Sequence, residues 1–157
     1  MRDVKELIES SKNNSKNKFA ELREKFFNFL LKKPCTLKQA EEFLCGLEIS
    51  EEQKNILLNE AGDMGLADDL TYAKLFIEGH LTWGNMKIIY ELSKRGVSRE
   101  NINAALDDAE DEISRANKIL KGWENSFTPA DSKKIINRLL NRGFSHKTAR
   151  TVIEVRR

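Results

Sequence analysis

The sequence predicts an all-α protein: three tandem three-helix repeats in an elongated, curved arrangement. Three observations carry that prediction. First, the chain repeats itself. Ile88–Leu106 reads IIYELSKRGVSRENINAAL and Ile135–Ile153 reads IINRLLNRGFSHKTARTVI, with Gly96 falling on Gly143. A weaker copy, AEEFLCGLEISEEQKNILL, runs from Ala40 to Leu58. Self-similarity at this period marks a repeat architecture whose units bury apolar faces against their neighbours. Second, apolar residues recur at intervals of three and four, with no alternating strand pattern. Third, glycine (8) and proline (2) are scarce and 33% of the residues are charged, which suits helices with charged outer faces.

Val4, Leu7 and Ile8 have helical spacing, and the polar run SSKNNSKNK that follows reads as a linker, so residues 1–18 are assigned to an N-terminal extension. Repeat 1 is placed at 19–66. Phe19, Leu22, Phe26, Phe29 and Leu30 form one helical stripe, which Pro34 ends. Thr36 with Gln39, and Ser50 with Gln53, are capping boxes opening two further helices over Phe43, Leu44, Leu57 and Leu58. Glu48 stands where the other copies carry glycine. A left-handed turn there would cost about 1–2 kcal/mol, so this unit is expected to turn differently.

Repeat 2 is placed at 67–107. Asp68 or Asp69 caps a helix bearing Tyr72, Ala73, Phe76, Ile77 and His80. The next helix, Met86 to Arg95, stops at Gly96, and Ser98 caps the one after, with Val97 and Ile102 spaced as a hydrophobic staple. Repeat 3 is placed at 108–157. Its first helix starts near Asp107 and carries Ile113, Ala116, Ile119, Leu120 and Trp123. Thr128-Pro129 reads as N-cap plus first-turn proline, ahead of Ile135, Ile136, Leu139 and Leu140. Gly143 stops that helix, and Ser145 caps the last, which carries Ala149, Val152 and Ile153.

Charge is distributed unevenly. Residues 1–47 hold 10 basic and 7 acidic side chains, residues 48–110 hold 6 and 13, and residues 111–157 hold 11 and 5. Such polarity can orient a protein on a charged partner. Lys133, Lys134, Arg138, Arg142, Lys147, Arg150, Arg156 and Arg157 are therefore the candidate partner-binding residues. Lys134, Arg138 and Arg142 recur every fourth residue, on the face opposite the apolar one, where they can meet phosphates or an acidic protein surface.

No catalytic constellation is present. His80 and His146 fall in different repeats, Asp68-Asp69 is explained by helix capping, and no glycine-rich phosphate loop occurs. No metal or cofactor is expected. Tyr72, Phe76 and Trp83 could stack on bases, but their spacing favours packing; Trp123 fits a repeat interface or a core. Cys35 and Cys45 match no metal spacing and are expected as free thiols in a reducing compartment. No secretory signal or membrane span is apparent, so a cytoplasmic location is expected. The chain is expected to be a monomer.

The segment GLADDLTYAKLFIEGHLTWGNMKIIYELSKRGVSRENINAALDD resembles the signature of the RecX family. The matching positions are Gly65, Leu66, Asp68, Asp69, Tyr72, Ala73, Phe76, Gly84, Ile88, Glu91, Leu92, Gly96, Val97, Ile102 and Leu106. The unit from Ile135 to Ile153 looks like that family's third repeat, and the resemblance spans roughly residues 36–157. It implies three tandem three-helix units and a non-enzymatic regulator. Such a regulator lies in the helical groove of the RecA–DNA filament and restrains the recombinase, in DNA repair, recombination and the SOS response. Single- or double-stranded DNA is a further candidate partner for the basic C-terminal repeat. The competing reading is a helix-turn-helix-like DNA-binding protein. Charge counts against it, because Asp107, Asp108 and Glu110, like Glu51, Glu52 and Glu60, would be repelled from a major groove.

Overall fold

In a computed structural model, the structure describes residues 4–155, leaving out the side chains at 11, 13 and 129. Among the described residues it is all-α: α1 (Val4–Lys32), α2 (Leu37–Cys45), α3 (Glu51–Asp63), α4 (Asp69–Glu78), α5 (Asn85–Lys94), α6 (Arg99–Asp108), α7 (Glu112–Trp123), α8 (Ser132–Asn141) and α9 (His146–Val155). A single 3₁₀ turn, Pro129–Asp131, precedes α8. Two compact units form, one up to Asp68 and one from Asp69 onward, so two of the expected repeats share the second unit.

The first unit holds α1 to α3. Phe26, Leu30, Ala40, Leu44, Leu57 and Ala61 make its buried core. Phe29 and Phe43 stack across α1 and α2 at 4.3 Å between ring centroids. Burying a phenylalanine such as Phe26 contributes about 1.5–3 kcal/mol. Both capping boxes form: Thr36 Oγ1 accepts from the Gln39 N–H at 3.2 Å, and Ser50 Oγ from the Gln53 N–H at 3.1 Å.

One expectation changes here and one holds. The run read as a linker is helix, because α1 continues unbroken from Val4 to Lys32. That stretch contains neither glycine nor proline, and Lys, Glu, Asn and Ser cost a helix only tenths of a kcal/mol each. Its described side chains before Phe19 are all exposed, so it adds nothing to the core. The turn at Glu48 differs from the later ones, as the missing glycine implied. Gly46 closes α2 at φ −79°, whereas Gly96 and Gly143 adopt φ 90° and 95°.

The second unit has two cores. Ala73, Ile77, Ile88, Leu92, Val97, Ile102 and Ala105 close α4 to α6, and Ala116, Leu120, Leu139, Phe144, Ala149 and Val152 close α7 to α9. The helix expected from Asp107 begins instead at Glu112. Asp111 caps it by accepting from the Ser114 N–H at 2.7 Å, and α6 runs on to Asp108. A carboxylate at the helix start satisfies an N–H that would otherwise be orphaned, so Asp111 makes a better start than a residue inside α6.

A tight seam joins the two cores. The start of α5 sits on the end of α8: Gly84 N–H donates to the Arg142 carbonyl at 2.8 Å, and Met86 N–H to the Gly143 carbonyl at 3.1 Å. Unpaired donors of one helix start thus meet unpaired acceptors of another helix end. The backbones approach so closely that a Cβ at Gly84 would lie 2.1 Å from the Phe144 nitrogen. Glu112 spans the seam, accepting from the Asn85 N–H at 3.2 Å and the Ser145 N–H at 2.9 Å. Arg115, 2% exposed, completes it. Its guanidinium donates to the Glu110 carbonyl at 3.0 Å, to the Trp83 carbonyl and to the Asn85 side chain. Burial pulls the Arg115 pKa below its ordinary value, and the Glu112, Glu110 and Asp111 carboxylates oppose that shift.

Candidate partner-binding surface

The basic residues singled out in the sequence divide into groups. On α8, Lys133 and Lys134 are exposed, and Lys134 Nζ lies 3.9 Å from an Asp131 oxygen. Arg138 lies over two rings, 4.9 Å from the Phe127 centroid and 5.8 Å from that of Trp123. Arg142 lies 5.4 Å from the Trp123 centroid, and Trp123 and Phe127 meet edge to face at 5.9 Å. Lys147, by contrast, lines a different groove of about 450 Å³ together with Asp111 and Glu112. Arg150 is exposed on α9. Arg156 and Arg157 lie outside the described residues.

Arg138 and Arg142 are one helical turn apart on α8. The turn that follows α7, closed by the Ser126 N–H donating to the Trp123 carbonyl at 2.8 Å, brings Phe127 back beside Trp123, so two rings and two guanidinium groups align. A cation over an aromatic face gains about 0.5–1 kcal/mol at an exposed site. Seating also restrains a flexible arginine, which lowers the ordering cost of contacting an anion. Phe127 was not singled out in the sequence; it lies beyond the turn that follows α7, where no helical periodicity marks it.

Beside this cluster lies a groove of about 350 Å³ at the seam. Leu81 and Thr82 form one wall; Ile119, Gly122 and Trp123 of α7 form another, and Arg142 stands at the end of α8. Besides Arg142, its charged groups are Arg115, Lys118 and Glu110. Lys118 and Glu110 form an ion pair at 2.8 Å.

The other sequence candidates take packing roles. His80 Nδ1 lies 2.7 Å from the Phe76 carbonyl, so in this geometry Nδ1 carries a proton and donates it. Its ring stacks on Phe76 at 4.1 Å and packs against Trp83 at 4.2 Å. Tyr72, Phe76 and Trp83 pack against the α4–α6 core, with Arg95 over Phe76 and Lys87 over Trp83. Arg95 pairs with Glu91 at 2.7 Å, and that bond holds the Glu91 carboxyl below its ordinary pKa. A depressed carboxylate pKa stabilises the fold above the ordinary carboxylate range, and that contribution is lost as pH falls through the lowered value. Cys35 is buried and Cys45 exposed, and neither is in a disulfide. Among the described residues, no group of three or more His, Cys, Asp or Glu could hold a metal ion, and no helix is long and apolar enough to cross a membrane.

Comparison with known proteins gives a consistent picture. A family model described as RecX, second three-helix domain, matches residues 68–106, which take in α4 to α6 apart from the last two residues of α6. The regulatory protein RecX of Lactobacillus delbrueckii subsp. bulgaricus is 31% identical over 135 residues, covering 80% of this chain and 50% of that protein. That of Caldanaerobacter subterraneus subsp. tengcongensis is 30% identical over 123 residues, covering 75% and 61% respectively. The chain thus spans about half the length of the first of these relatives. Among solved structures, RecX from Lactobacillus salivarius superposes with a TM-score of 0.76 at 22% identity, covering 88% of this chain and 96% of that one. A second RecX structure gives a TM-score of 0.71 at 18% identity, over 98% and 79%. These two likenesses establish a shared helical-repeat fold. With its central three-helix unit matched by the family model, and with regulatory proteins RecX as its relatives in sequence, the chain is similar to the RecX family over most of its length.

Proposed function

We propose that this protein is a cytoplasmic, monomeric regulator that binds the RecA–DNA filament and restrains the recombinase, acting by occupancy and not by catalysis. The reading rests on the likeness to RecX. The observation that gives it a surface is the α8 face, where Arg138 and Arg142 are seated on Trp123 and Phe127 and Lys133 and Lys134 extend the charge. A helical-repeat protein can contact several protomers of a filament at once, and each added contact gains from high effective concentration. It would therefore bind assembled filaments better than free recombinase. Residues 48–110 carry 6 basic against 13 acidic side chains, so the last repeat is the better partner for phosphates or acidic protein surfaces.

The test is co-sedimentation with RecA filaments formed on single-stranded DNA, alongside the recombinase's ATP hydrolysis and strand exchange. The parent protein should sediment with filaments and slow both activities; no effect at stoichiometric ratio with folded protein would sink the reading. Reversing Lys134, Arg138 and Arg150 to Glu should weaken binding about tenfold or more and flatten its salt dependence, while helical content stays unchanged. Asp107→Lys with Asp108→Lys is the matched control and should leave binding intact or strengthen it. Equal binding and an equal salt slope in the triple reversal would show that the basic face is only solvated.

A further inference from the structure

The groove at the seam has the composition of a site for one unstacked base. Its walls are mainly apolar, from Leu81, Ile119 and the Trp123 indole, and one edge ends in a guanidinium, Arg142. Its volume of about 350 Å³ falls at the lower end for small-ligand sites. The carboxylate in the groove, Glu110, is already paired with Lys118 and so offers little repulsion to an anion. From Arg142 the cations continue outward along α8 through Arg138 to Lys134, each about 6 Å further along the axis. An aromatic wall beside a line of cations is the combination that holds single-stranded nucleic acid: the base stacks while the cations follow the phosphates. A duplex keeps its base faces stacked and cannot fill such a groove.

We propose that the groove lined by Trp123, Ile119, Leu81 and Arg142 binds an unpaired base of single-stranded DNA, with Arg142, Arg138 and Lys134 meeting the flanking phosphates. This deepens the filament reading and rests on it, by assigning this groove to the DNA and not to a recombinase surface. Gly122 supplies a clean test. A Cβ there would meet nothing within 4 Å, and Gly122 lines the groove within α7, so a larger side chain fills the space without removing a contact.

The experiment uses the full chain with Trp83→Phe, which leaves Trp123 as the single indole, and an oligothymidylate on the order of 10 nucleotides. The strand should quench Trp123 fluorescence, and a duplex of equal length should bind about tenfold or more weakly. Adding Gly122→Leu should abolish the quenching and weaken strand binding about tenfold or more. Its melting temperature should equal or exceed the parent's, since glycine is a poor helix former. Trp123→Leu should weaken strand binding similarly. Equal binding of strand and duplex, or parental affinity in both Gly122→Leu and Trp123→Leu, would overturn the assignment. A parent that sediments with RecA filaments but binds no free strand would overturn it too, and would give the surface to the recombinase. A parent that binds the strand through Trp123 but ignores filaments would leave the site standing and sink the filament reading.

Discussion

Gly84→Ala is expected to destabilise the second compact unit by about 3 kcal/mol or more, a fall in melting temperature of more than about 10 °C. Backbone preference is not the reason, because Gly84 has φ −77° and ψ 167°, which alanine adopts freely. The cost is steric. The added Cβ would stand 2.1 Å from the Phe144 nitrogen and 2.2 Å from the Gly143 carbonyl carbon, and backbone cannot swing aside as a side chain can. Relieving the overlap parts the start of α5 from the end of α8. The Gly84–Arg142 and Met86–Gly143 hydrogen bonds are then stretched, leaving polar groups unpaired. Gly62→Ala in α3 is the control: a Cβ there meets nothing within 4 Å, so it should be neutral or stabilising by about 0.5–1 kcal/mol. Thermal unfolding of the two variants checks the pair. A Gly84→Ala protein that melts with the parent would show that the helix ends are not in this contact.

Arg115→Met should cost about 3 kcal/mol, read as a fall in the denaturant midpoint at an unchanged slope. Methionine fills much of the volume but offers no donor, so the Glu110 and Trp83 carbonyls and the Asn85 amide oxygen lose their partner in a part-buried site. Arg115→Lys should recover only part of the loss, because a single ammonium cannot reach three acceptors in the way a planar fork does. The loss should also be non-additive with Asn85→Ala, since both substitutions break one network. A cost below about 1 kcal/mol for Arg115→Met would show that Arg115 is not what clasps the seam.

Much of this architecture was legible because the determining signals are local. Thr36 with Gln39, and Ser50 with Gln53, act within one turn, and Gly96 and Gly143 meet a backbone need that a single residue decides. Apolar spacing marked Phe26, Leu44, Ile77, Leu139 and Val152, all now in cores. Less local signals misled. The polar run before Phe19 lacks an apolar face, and the absence of such a face says nothing against a helix free of glycine and proline. The start of α7 was misplaced because Asp107, Asp108 and Asp111 all resemble caps, and only the turn after α6 chooses among them.

The sequence by itself determined an all-α repeat protein, most of the breaks between its helices, the basic character of its last repeat and its likeness to RecX. Each of these depends on residue type at short spacing. Tertiary structure alone decided the rest. Arg115 reads in the chain as one more surface cation, yet it is buried and bonded to residues about thirty positions away. Gly84 reads as a helix start, yet what requires glycine there is the backbone of α8's end. The basic stripe reads as uniform, yet Arg138 and Arg142 are seated on rings while Lys147 lines another groove. The reason is common to all three. A side chain's environment is set by whatever the fold brings within a few ångströms of it, and contacts between distant segments leave no periodic trace in a single sequence.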